Sequence, residues 1–365
     1  MSGTHYIGIM SGTSLDGIDA VLVDFTQSCP LERTCYMPYD EALRTALLAL
    51  NQRGKDELHR AAVLANRIAK LYAESVRRLL DGTGLNPRQV VAIGCHGQTV
   101  RHCPQPENGY SIQLVNGALL AELTGIAVVT DFRSRDIAAG GQGAPLVPAF
   151  HREVFAHPAI DRLIVNIGGI ANITCLPVSG HVTGFDCGPG NILMDAWCVR
   201  HLNMPYDRDG QWGASGRVIP RLLEDLLAFP YFSLPPPKST GREMFNIDWL
   251  QSCLQGDEAA QDVQATLVAL TAATITRSVL AHCPAANEVY LCGGGAHNSA
   301  LVCQLRQGLP AREIKLTDAL GIDADWVEAC AFGWLAQRAI ERAPGNLPVV
   351  TGAHASRILG AIYLA

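Results

Sequence analysis

Short apolar runs bounded by glycine, serine and aspartate recur along the chain, and this pattern predicts β-strands. The first two runs, residues 6–10 and 18–25, flank a small, hydroxyl-rich segment at 11–17. We therefore predict strand, tight turn and strand. Gly12 and Gly17 are expected at positive φ, where the missing Cβ lets a ligand approach the backbone. An ordinary β-hairpin turn is the alternative.

The same pattern returns in the second half of the chain. An apolar run at 163–167 ends in a Gly-Gly pair at 168–169, and a second run follows at 171–176. Asn166 and Asn172 flank the glycine pair. Two similar hairpins indicate an internal duplication with a nucleotide held between the halves. Chance similarity of two glycine hairpins is the alternative.

Segments with helical periodicity alternate with the apolar runs. The clearest helix is predicted at 55–80, where apolar side chains recur on one face. Strands that alternate with helices indicate an α/β fold. Further strands are predicted at 31–38, 90–94, 111–115, 127–131, 288–291 and 358–364, and further helices at 40–50, 117–123, 192–202, 263–282 and 325–340.

Composition narrows the class of protein. The 365 residues suffice for two domains, and 48% of them are hydrophobic, as in a well-packed enzyme. The formal net charge of −6 gives no broad basic surface, so we expect no nucleic-acid partner. The chain has neither an apolar run long enough to span a membrane nor a secretory signal pattern, which favours a cytoplasmic protein without a membrane partner.

The cysteines are numerous but scattered. All twelve lie between Cys29 and Cys330, and none forms a C-x-x-C pair. We therefore expect buried thiols in a reducing compartment rather than disulfides. One close group, Cys95, His96, His102 and Cys103, has the composition of a zinc site, but the predicted strand and turn between its members argue against tetrahedral convergence.

Several segments are suited to phosphate chemistry. The N–H groups and hydroxyls of the turn at 11–17 offer donors to phosphate oxygens. This turn is no P-loop, because it lacks a lysine and a second strand follows. Residues 238–242 form either a loop that closes over a polyphosphate or a solvated linker. The glycine triplet at 293–295 allows adenine or phosphate to approach the backbone, or else it packs a helix tightly on a strand.

Two carboxylates and two arginines are further candidates. Asp186 precedes a glycine-rich turn, where an aspartate either satisfies local N–H groups or acts as a positioned base. Glu328 opens a predicted helix, where an acid commonly complements the helix dipole. Arg133 and Arg135 belong to a charged, then glycine-rich stretch at 131–151 that suggests an active-site loop. A surface charge network is the alternative for that stretch.

Eight motifs in a fixed order give the chain a specific resemblance. They are GIMSGTSLDGID, CHGQT, DFRSRDIAAGGQGAPLVPAFH, NIGGIAN, GFDCGPGN, PKSTGRE, CGGGAHN and a final TGA. From about Tyr6 to the C-terminus the chain resembles the 1,6-anhydro-N-acetylmuramic acid kinases of bacterial cell-wall recycling, which belong to the actin, sugar-kinase and Hsp70 group of folds.

This resemblance implies a two-domain, actin-like ATPase (sugar kinase) α/β fold with duplicated phosphate-binding hairpin turns and an interdomain cleft. The implied domains are residues 1–132 plus about 345–365, and residues 133–344. It also implies ATP and Mg²⁺ as cofactors, a small amino sugar as the second substrate, and a homodimer.

The implied reaction couples hydrolysis to phosphoryl transfer. Water opens the 1,6-anhydro bridge with inversion while O6 receives the γ-phosphoryl group of ATP, which gives N-acetylmuramic acid 6-phosphate and ADP. Asp186 would be the base that activates the water, and Glu328 would orient the same water.

The resemblance assigns the binding residues motif by motif. Related sugar kinases carry a magnesium-binding aspartate where this chain has Met10. Asp16 or Asp19 is therefore the candidate for Mg²⁺, through water, and we favour Asp16. Arg133 or Arg135 would hold the lactyl carboxylate of the sugar. The implied ATP-binding residues are Gly12, Thr13, Ser14, Leu15, Asp16, Gly17, Ile18, Asp19, Asn166, Gly168, Gly169, Lys238, Gly293, Gly294, Gly295 and Asn298, and the implied sugar-binding residues are His96, Gly97, Gln98, Thr99 and Arg133.

Other readings of the same motifs remain open. An ordinary hexose or amino-sugar kinase would use the same turns without opening a ring. A non-catalytic ATP-dependent clamp or filament would share the architecture, but it has no need of Asp186 and Glu328. A sugar-sensing repressor would need a helix-turn-helix segment or a basic extension, and the sequence shows neither.

Overall fold

The computed structural model describes residues 3–105 and 107–365, which group into two compact units. The first unit is formed by Met1–Phe150 together with Trp326–Ala365, and the second by His151–Asp325. Their bounds therefore fall near 150 and 325 rather than near the expected 132 and 345.

Contacts within the first unit explain this difference. The buried carboxylate of Asp136 accepts a hydrogen bond of 2.7 Å from Asn346 and one of 2.8 Å from Thr351. These bonds tie the loop after residue 133 to the C-terminal segment. In addition, the helix Val327–Ile340 packs on strands of the first sheet. Both segments therefore belong to the first unit.

The strands and helices follow the predicted order. The strands are β1 His5–Met10, β2 Gly17–Asp24, β3 Leu31–Pro38, β4 Val90–Cys95, β5 Gln98–Cys103, β6 Tyr110–Leu114, β7 Val128–Thr130, β8 Arg162–Ile167, β9 Ile170–Leu176, β10 Thr183–Pro189, β11 Glu288–Cys292, β12 Glu313–Leu316 and β13 Ala361–Tyr363. The α-helices are α1 Glu41–Leu48, α2 Glu57–Leu80, α3 Gly117–Thr124, α4 Ser134–Ala138, α5 Val147–Phe155, α6 Ile192–Leu202, α7 Gln211–Ser215, α8 Pro220–Leu227, α9 Ile247–Cys253, α10 Ala260–His282, α11 Ser299–Gly308, α12 Val327–Ile340 and α13 Pro348–Thr351.

The first unit is built on a six-stranded sheet in the order β13-β7-β4-β1-β2-β3. Strand β2 runs antiparallel to both β1 and β3, whereas β4 is parallel to β1 and β7 is parallel to β4. The last strand, β13, pairs with β7, so the C-terminal apolar segment returns to the first unit as predicted.

The second unit repeats this arrangement. Its sheet has the order β10-β9-β8-β11-β12, in which β9 runs antiparallel to both β8 and β10, β11 is parallel to β8 and β12 is parallel to β11. In both units the first strand therefore lies between its own hairpin partner and a parallel strand that follows a long crossover. This repeat confirms the internal duplication that the two similar hairpins predict, and it agrees with the duplicated fold expected from the motifs.

Two glycines allow α12 to lie directly on the first sheet. A Cβ on Gly8 of β1 would stand 1.9 Å from the carbonyl oxygen of Ala329, and a Cβ on Gly94 of β4 would stand 2.0 Å from that of Phe332. No real Cβ tolerates such distances, so these contacts require glycine. Neither residue was singled out by the sequence patterns.

Helix α10 forms the core of the second unit. Most of its residues from Val263 to Ile275 are buried. Among the described residues it is the one helix with the length and apolar composition of a membrane span, and 72% of its most apolar window is buried. Extensive burial of this kind is also found in the core helices of globular domains.

One cysteine pair departs from the expectation of reduced thiols. Cys175 on β9 and Cys283, which directly follows α10, form a disulfide, although they are 108 residues apart in the sequence. The pair joins the second sheet to the end of its central helix. The expectation that the chain lacks disulfides is therefore wrong for these two residues.

We predict that Gly94→Ala destabilises the first unit, because the added methyl group would overlap the Phe332 carbonyl. Overpacking of this kind costs about 1–3 kcal/mol. Chemical denaturation followed by circular dichroism measures the loss. The matched control is Gly54→Ala, whose Cβ would meet only the end of the Arg60 side chain at 3.4 Å. Equal unfolding midpoints for the two variants would contradict the prediction.

Candidate active site

The opening turn of the first unit joins β1 to β2. The residue at positive φ is Leu15, with φ of 58°, whereas Gly12 and Gly17 do not lie in the left-handed region. The expected φ of these glycines was therefore wrong. Gly17 is needed for a different reason, because its Cβ would stand 2.6 Å from the Met37 carbonyl on β3. At Gly12 the nearest atom to a Cβ lies 3.5 Å away, so its Cα is open to approach.

Buried side chains hold this turn in place through hydrogen bonds. The Ser11 hydroxyl shares a hydrogen bond of 2.6 Å with Tyr72 of α2. Gln98 of β5 donates from Nε2 to the Gly12 carbonyl at 3.0 Å, while its Oε1 has no partner among the described residues. The Gln98 side chain is fully buried. It thus fixes the turn through one end of its amide and leaves an acceptor at the other.

His96 links the turn to the charged loop at 131–151. Arg133 donates to His96 Nε2 from Nη2 at 2.8 Å and from Nε at 3.2 Å, so Nε2 is the acceptor and the proton sits on Nδ1. Nδ1 lies 3.4 Å from the Ser11 carbonyl. Burial, and then the positive charge of Arg133, hold the pKa of His96 well below its usual value. His96 is therefore neutral at physiological pH.

Asp136 organises the loop that carries Arg133. Its carboxylate is completely buried and accepts from the Gly143 amide at 2.8 Å as well as from Asn346 and Thr351. Arg133 in turn donates to the Gly143 carbonyl at 2.7 Å. The sequence patterns did not identify Asp136. The sequence does contain a signal for it, because Asp136 ends the motif DFRSRD and Gly141 follows five residues later. A Cβ on Gly141 would collide with the Asp136 carboxylate.

The glycine turn of the second unit is held by the start of α6. The Gly168 carbonyl accepts from the amide of Asn191 at 2.8 Å, and the Gly169 carbonyl accepts from Gly190 at 2.9 Å and Ile192 at 3.1 Å. A Cβ on Gly190 would stand 2.2 Å from the Gly168 oxygen. The connection between β10 and α6 therefore fixes the position of the turn.

Three polar residues, one on each of three neighbouring strands, form a row across the second sheet. Asn166 of β8 is the cross-strand partner of Asn172 of β9, and Asn172 is the partner of Asp186 of β10. Directly opposed residues point to the same face of a sheet, so the three side chains share one face. The Oδ1 atoms of Asn166 and Asn172 are buried and have no hydrogen-bond partner among the described residues. We call this set the polar row.

Asp186 is held in place by a β-bulge and a loop. The register shifts between Asp186 and Gly188, which has a φ of 151° and approaches the Phe232 ring. A bulge of this kind re-aims neighbouring side chains. The amide of Thr240 donates to Asp186 Oδ2 at 3.0 Å, and the Asp186 amide donates to the Lys238 carbonyl at 3.2 Å. The residue as a whole is 7% exposed, so the surrounding chain restricts the orientation of its side chain.

Lys238 faces into the second unit. Its Nζ donates to the carbonyls of Tyr231 at 3.2 Å and Phe232 at 3.4 Å and lies 4.8 Å from the centre of the Tyr231 ring. Burial lowers its pKa, and Cys187 and Asp186 oppose this effect. Lys238 therefore stabilises the loop around Asp186. To contact a phosphate, its Nζ would have to give up its hydrogen bonds to the Tyr231 and Phe232 carbonyls.

The glycine triplet ends β11 beside the polar row. Gly293 has a φ of 79°, and its Cβ would stand 2.5 Å from Asn166 Oδ1. A Cβ on Gly295 would stand 2.3 Å from the Ile167 side chain, so this glycine has the tight-packing role. Asn298 caps α11, because its Oδ1 accepts from the Leu301 amide at 3.0 Å. The second unit therefore brings together Gly293, the polar row and the turn at Gly168.

The other predicted residues lie in the first unit. Glu328 is half-buried in the first turn of α12. Asp16 is exposed, and its Oδ1 accepts from the Gly17 amide at 3.0 Å and from the Ser14 hydroxyl at 2.5 Å. Gly97 has a φ of 77°, and Thr99 is half-buried on β5, where Gln113 donates to its hydroxyl at 3.3 Å. The remaining turn residues are Thr13, Ile18 and Asp19, of which Ile18 is fully buried.

The repeated sheets and the two hairpin turns define a duplicated α/β fold of the kind expected for a sugar kinase. Comparison with known proteins narrows the class. The family model of anhydro-N-acetylmuramic acid kinase matches residues 4–365. The chain belongs to the anhydro-N-acetylmuramic acid kinase family.

Relatives with this name span the whole chain. The protein from Nitrosomonas europaea is 72% identical over 360 residues, which are 98% of this chain and 99% of the relative. The protein from Nitrosospira multiformis is 60% identical over 364 residues and 100% of both chains. The protein from Chromobacterium violaceum is 53% identical over 98% of both chains. The resemblance deduced from the motifs is thereby confirmed.

We predict that His96 stays neutral, as the Nδ1–H tautomer, at a pH low enough to charge most of a free imidazole reference, because burial and Arg133 both disfavour the charged ring. Nitrogen-15 NMR of the imidazole reports the tautomer and the titration. Arg133→Met removes the positive charge and should raise the His96 pKa. Free imidazole in the same buffer is the reference. A His96 titration that coincides with this reference in the parent protein would contradict the prediction.

Proposed function

We propose that this enzyme opens the 1,6-anhydro ring of 1,6-anhydro-N-acetylmuramic acid and phosphorylates O6, which yields N-acetylmuramic acid 6-phosphate and ADP. The family membership supports the sugar and the kinase activity. The observation that supports the hydrolytic step is Asp186, a buried residue whose carboxylate accepts from the Thr240 amide and which shares one face of the sheet with Asn166 and Asn172. A kinase that transfers phosphate to a free hydroxyl would use such a base to take the hydroxyl proton, so oxygen-18 water is needed to separate the two reactions.

The bonds and protons of the reaction balance as follows. Water forms a bond to the anomeric carbon, the bond from that carbon to O6 breaks, and O6 takes its electron pair. O6 then bonds to the γ-phosphorus as the bond to the β-phosphate oxygen breaks, so ADP leaves. Asp186 takes one proton from the water and later releases it to solvent. No acid need protonate O6, because phosphorus takes the place of a proton.

The two hairpin turns would bind the nucleotide. In the first unit the residues proposed to contact phosphate are Gly12 to Asp19, and the open Cα of Gly12 supports close approach. In the second unit they are Asn166, Gly168 and Gly169, with Gly293 to Gly295 and Asn298 toward the adenosine. Mg²⁺, when bound, neutralises charge on the phosphates. The exposed carboxylate of Asp16 fits a magnesium held through water.

The sugar would be recognised by the segment at 96–99 and by Arg133. The unpartnered Oε1 of Gln98 offers an acceptor to a hydroxyl or to the acetamide N–H. Thr99 and Gly97 lie beside it. Arg133 remains the proposed partner of the lactyl carboxylate, with Arg135, which is exposed on α4, as the alternative. Glu328 remains a prediction as a residue that orients the water, and Lys238 remains a prediction as a phosphate ligand.

The setting proposed for the enzyme is the cytoplasm, where both ATP and recycled cell-wall sugars occur, and the proposed assembly is a homodimer. Size-exclusion chromatography with light scattering measures the mass of the assembly in solution. A mass of one chain at working concentration would remove the dimer from the proposal without affecting the reaction.

We predict that Asp186→Asn lowers kcat by about 10²–10⁴-fold, the usual contribution of a general base. The amide keeps the size of the side chain but cannot take a proton. The measurement is ADP formation that depends on the anhydro-sugar. The matched control is Asp225→Asn, which changes an exposed carboxylate on α8 that forms an ion pair with Arg221. Near-parental turnover by a folded Asp186→Asn enzyme would refute the assignment.

Oxygen-18 water distinguishes ring opening from ordinary phosphorylation. We predict that one label enters the product at the anomeric hydroxyl and none enters the transferred phosphoryl group, because water attacks carbon and O6 attacks phosphorus. Mass spectrometry of fresh product, before anomeric exchange, locates the label. The reducing sugar serves as the control acceptor and should react poorly. An unlabelled anomeric oxygen would identify a kinase without hydrolysis.

A further inference from the structure

One end of the first sheet brings together three side chains of the types that bind metal ions. His5 begins β1, Asp24 ends β2, and Glu32 lies at the start of β3. A ring nitrogen of His5 and one carboxylate oxygen from each acid all lie within 4.8 Å of one another. None of the three has a part in the proposed reaction. We call this set the strand-end cluster.

The pairing of the strands explains why these side chains meet. His5 and Asp24 are directly opposed in the antiparallel pair of β1 and β2, so they point to the same face of the sheet. The register between β2 and β3 shifts between Leu22 and Val23, and Glu32 is the residue of β3 that is left without an opposed partner. Glu32 is therefore the extra residue of a β-bulge, a feature that re-aims side chains.

We propose that the strand-end cluster binds one zinc ion through the His5 ring, the Glu32 carboxylate and the Asp24 carboxylate, with water as the fourth ligand. The ion would join the first three strands at the end opposite the turn at 11–17. β1 has six residues, and at about 3.3 Å per residue the two ends of this strand are far apart. The zinc ion is therefore not the magnesium of the kinase reaction, and it does not depend on that reaction.

The spacing of the donor atoms suits zinc. His5 Nε2 lies 3.4 Å from Glu32 Oε2. Two ligands with bonds of about 2.0–2.1 Å at the tetrahedral angle stand roughly 3.3–3.4 Å apart, so these two atoms already have the separation of a pair of zinc ligands. Mg²⁺ and Ca²⁺ prefer oxygen ligands. The imidazole therefore favours zinc over both of these ions.

Threonine hydroxyls orient two of the three ligands. Oδ1 of the buried Asp24 accepts from the Thr26 amide at 2.9 Å and from the Thr26 hydroxyl at 2.7 Å. Its Oδ2 accepts only from the Thr4 hydroxyl, at 3.1 Å, and so retains a lone pair for a metal. The same hydroxyl lies 3.5 Å from His5 Nδ1, the ring nitrogen that does not face Glu32. Metal-bound histidines commonly contact a second group through their other nitrogen.

The charge of the strand-end cluster also favours a cation. It combines two carboxylates with one imidazole, and among the described residues neither acid forms an ion pair with a lysine or an arginine. The Glu32 side chain is 36% exposed, so an ion can enter from solvent. A divalent cation would neutralise both carboxylates, whereas the ion pair of His5 and Glu32 alone can neutralise one.

Equilibrium dialysis of the full, tag-free chain against Zn²⁺ tests the site. Cysteines elsewhere in the chain are also zinc ligands, so variants are needed to locate the ion. We expect His5→Ala and Glu32→Gln each to weaken the binding of one zinc ion by at least about 10–100-fold, the loss that follows removal of an outer partner alone. The matched control, His59→Ala, removes an exposed histidine of α2 and should bind zinc as the parent does.

Co²⁺ in place of Zn²⁺ identifies the type of ligand. A site of one nitrogen and several oxygens should give visible absorption without the near-ultraviolet charge-transfer band of a thiolate. Cys29 is an exposed thiol between β2 and β3, and Cys29→Ser should leave the cobalt spectrum unchanged. A thiolate band that disappears in Cys29→Ser, with no absorption lost in His5→Ala, would assign the ion to the cysteine and overturn the proposal.

Thermal unfolding gives a readout that is independent of the spectra. A ligand that binds only the folded chain stabilises it, and zinc at about a hundredfold above its Kd should raise the melting temperature of the parent by roughly 5 °C. The increase should be smaller in Thr4→Val, which removes the hydroxyl beside Asp24 and His5, and should be lost in His5→Ala. Circular dichroism before addition of zinc verifies that the variants are folded. Equal zinc affinity and an equal temperature shift in the parent and His5→Ala, or a parent that binds no zinc, would show that the strand-end cluster is not a metal site.

Discussion

The register of three antiparallel strands, β8, β9 and β10, controls the chemistry of the second unit. A shift of one residue would turn every side chain of a strand to the opposite face of the sheet. In the observed register Asn166, Asn172 and Asp186 share one face, and the apolar partners between them fill the core on the other face. The same hydrophobic burial that specifies the register therefore also aligns the polar row.

The turn at Gly168 stabilises that register at its end. A hairpin fixes the pairing of its strands through the length of its loop, and here the loop carbonyls are further bound by three amides at the start of α6. The segment that supplies these amides directly follows Asp186. One short stretch of chain thus fixes both the phosphate turn and the carboxylate, so their separation is set locally within the second unit.

The two units share one arrangement of strands but differ in the turns that join their hairpins. In both units the first strand pairs with its antiparallel hairpin partner on one side and with a parallel strand on the other. A further antiparallel strand pairs with the hairpin partner. In the first unit the turn is longer, it contains Leu15 at positive φ, and it is supported by the side chains of Gln98 and Tyr72. In the second unit two glycines suffice, and support comes from backbone amides. Duplication therefore conserved the sheet while the turns diverged.

Element order, the duplication and the family could be predicted from the sequence, because apolar periodicity and ordered motifs are local signals. The helix predicted at 192–202 has the observed bounds of α6. The conformation of the opening turn could not be predicted, since positive φ at a leucine is rare and glycine is the usual choice. The disulfide also escaped prediction, because 108 residues separate its two cysteines.

The hydrogen-bond partners of side chains in the site could not be predicted from sequence patterns, for a similar reason. A lysine in the segment PKSTGRE suggests a phosphate ligand, yet its Nζ is bonded to two carbonyls that precede it by six and seven residues. Asp136 was overlooked because its partners, Asn346 and Thr351, are more than 200 residues away. Such contacts depend on the packed fold rather than on local sequence.

The distribution of charge explains why the polar row contains amides rather than more carboxylates. A nucleoside triphosphate brings several negative charges, and a second carboxylate opposite Asp186 would raise its pKa and weaken it as an ion near neutral pH. Asparagine supplies an oxygen acceptor without a charge. The nearby cation, Lys238, belongs to the loop that binds Asp186, and its Nζ is held by backbone carbonyls. The row therefore keeps a single negative charge at the residue that must take a proton, and neutral acceptors beside it.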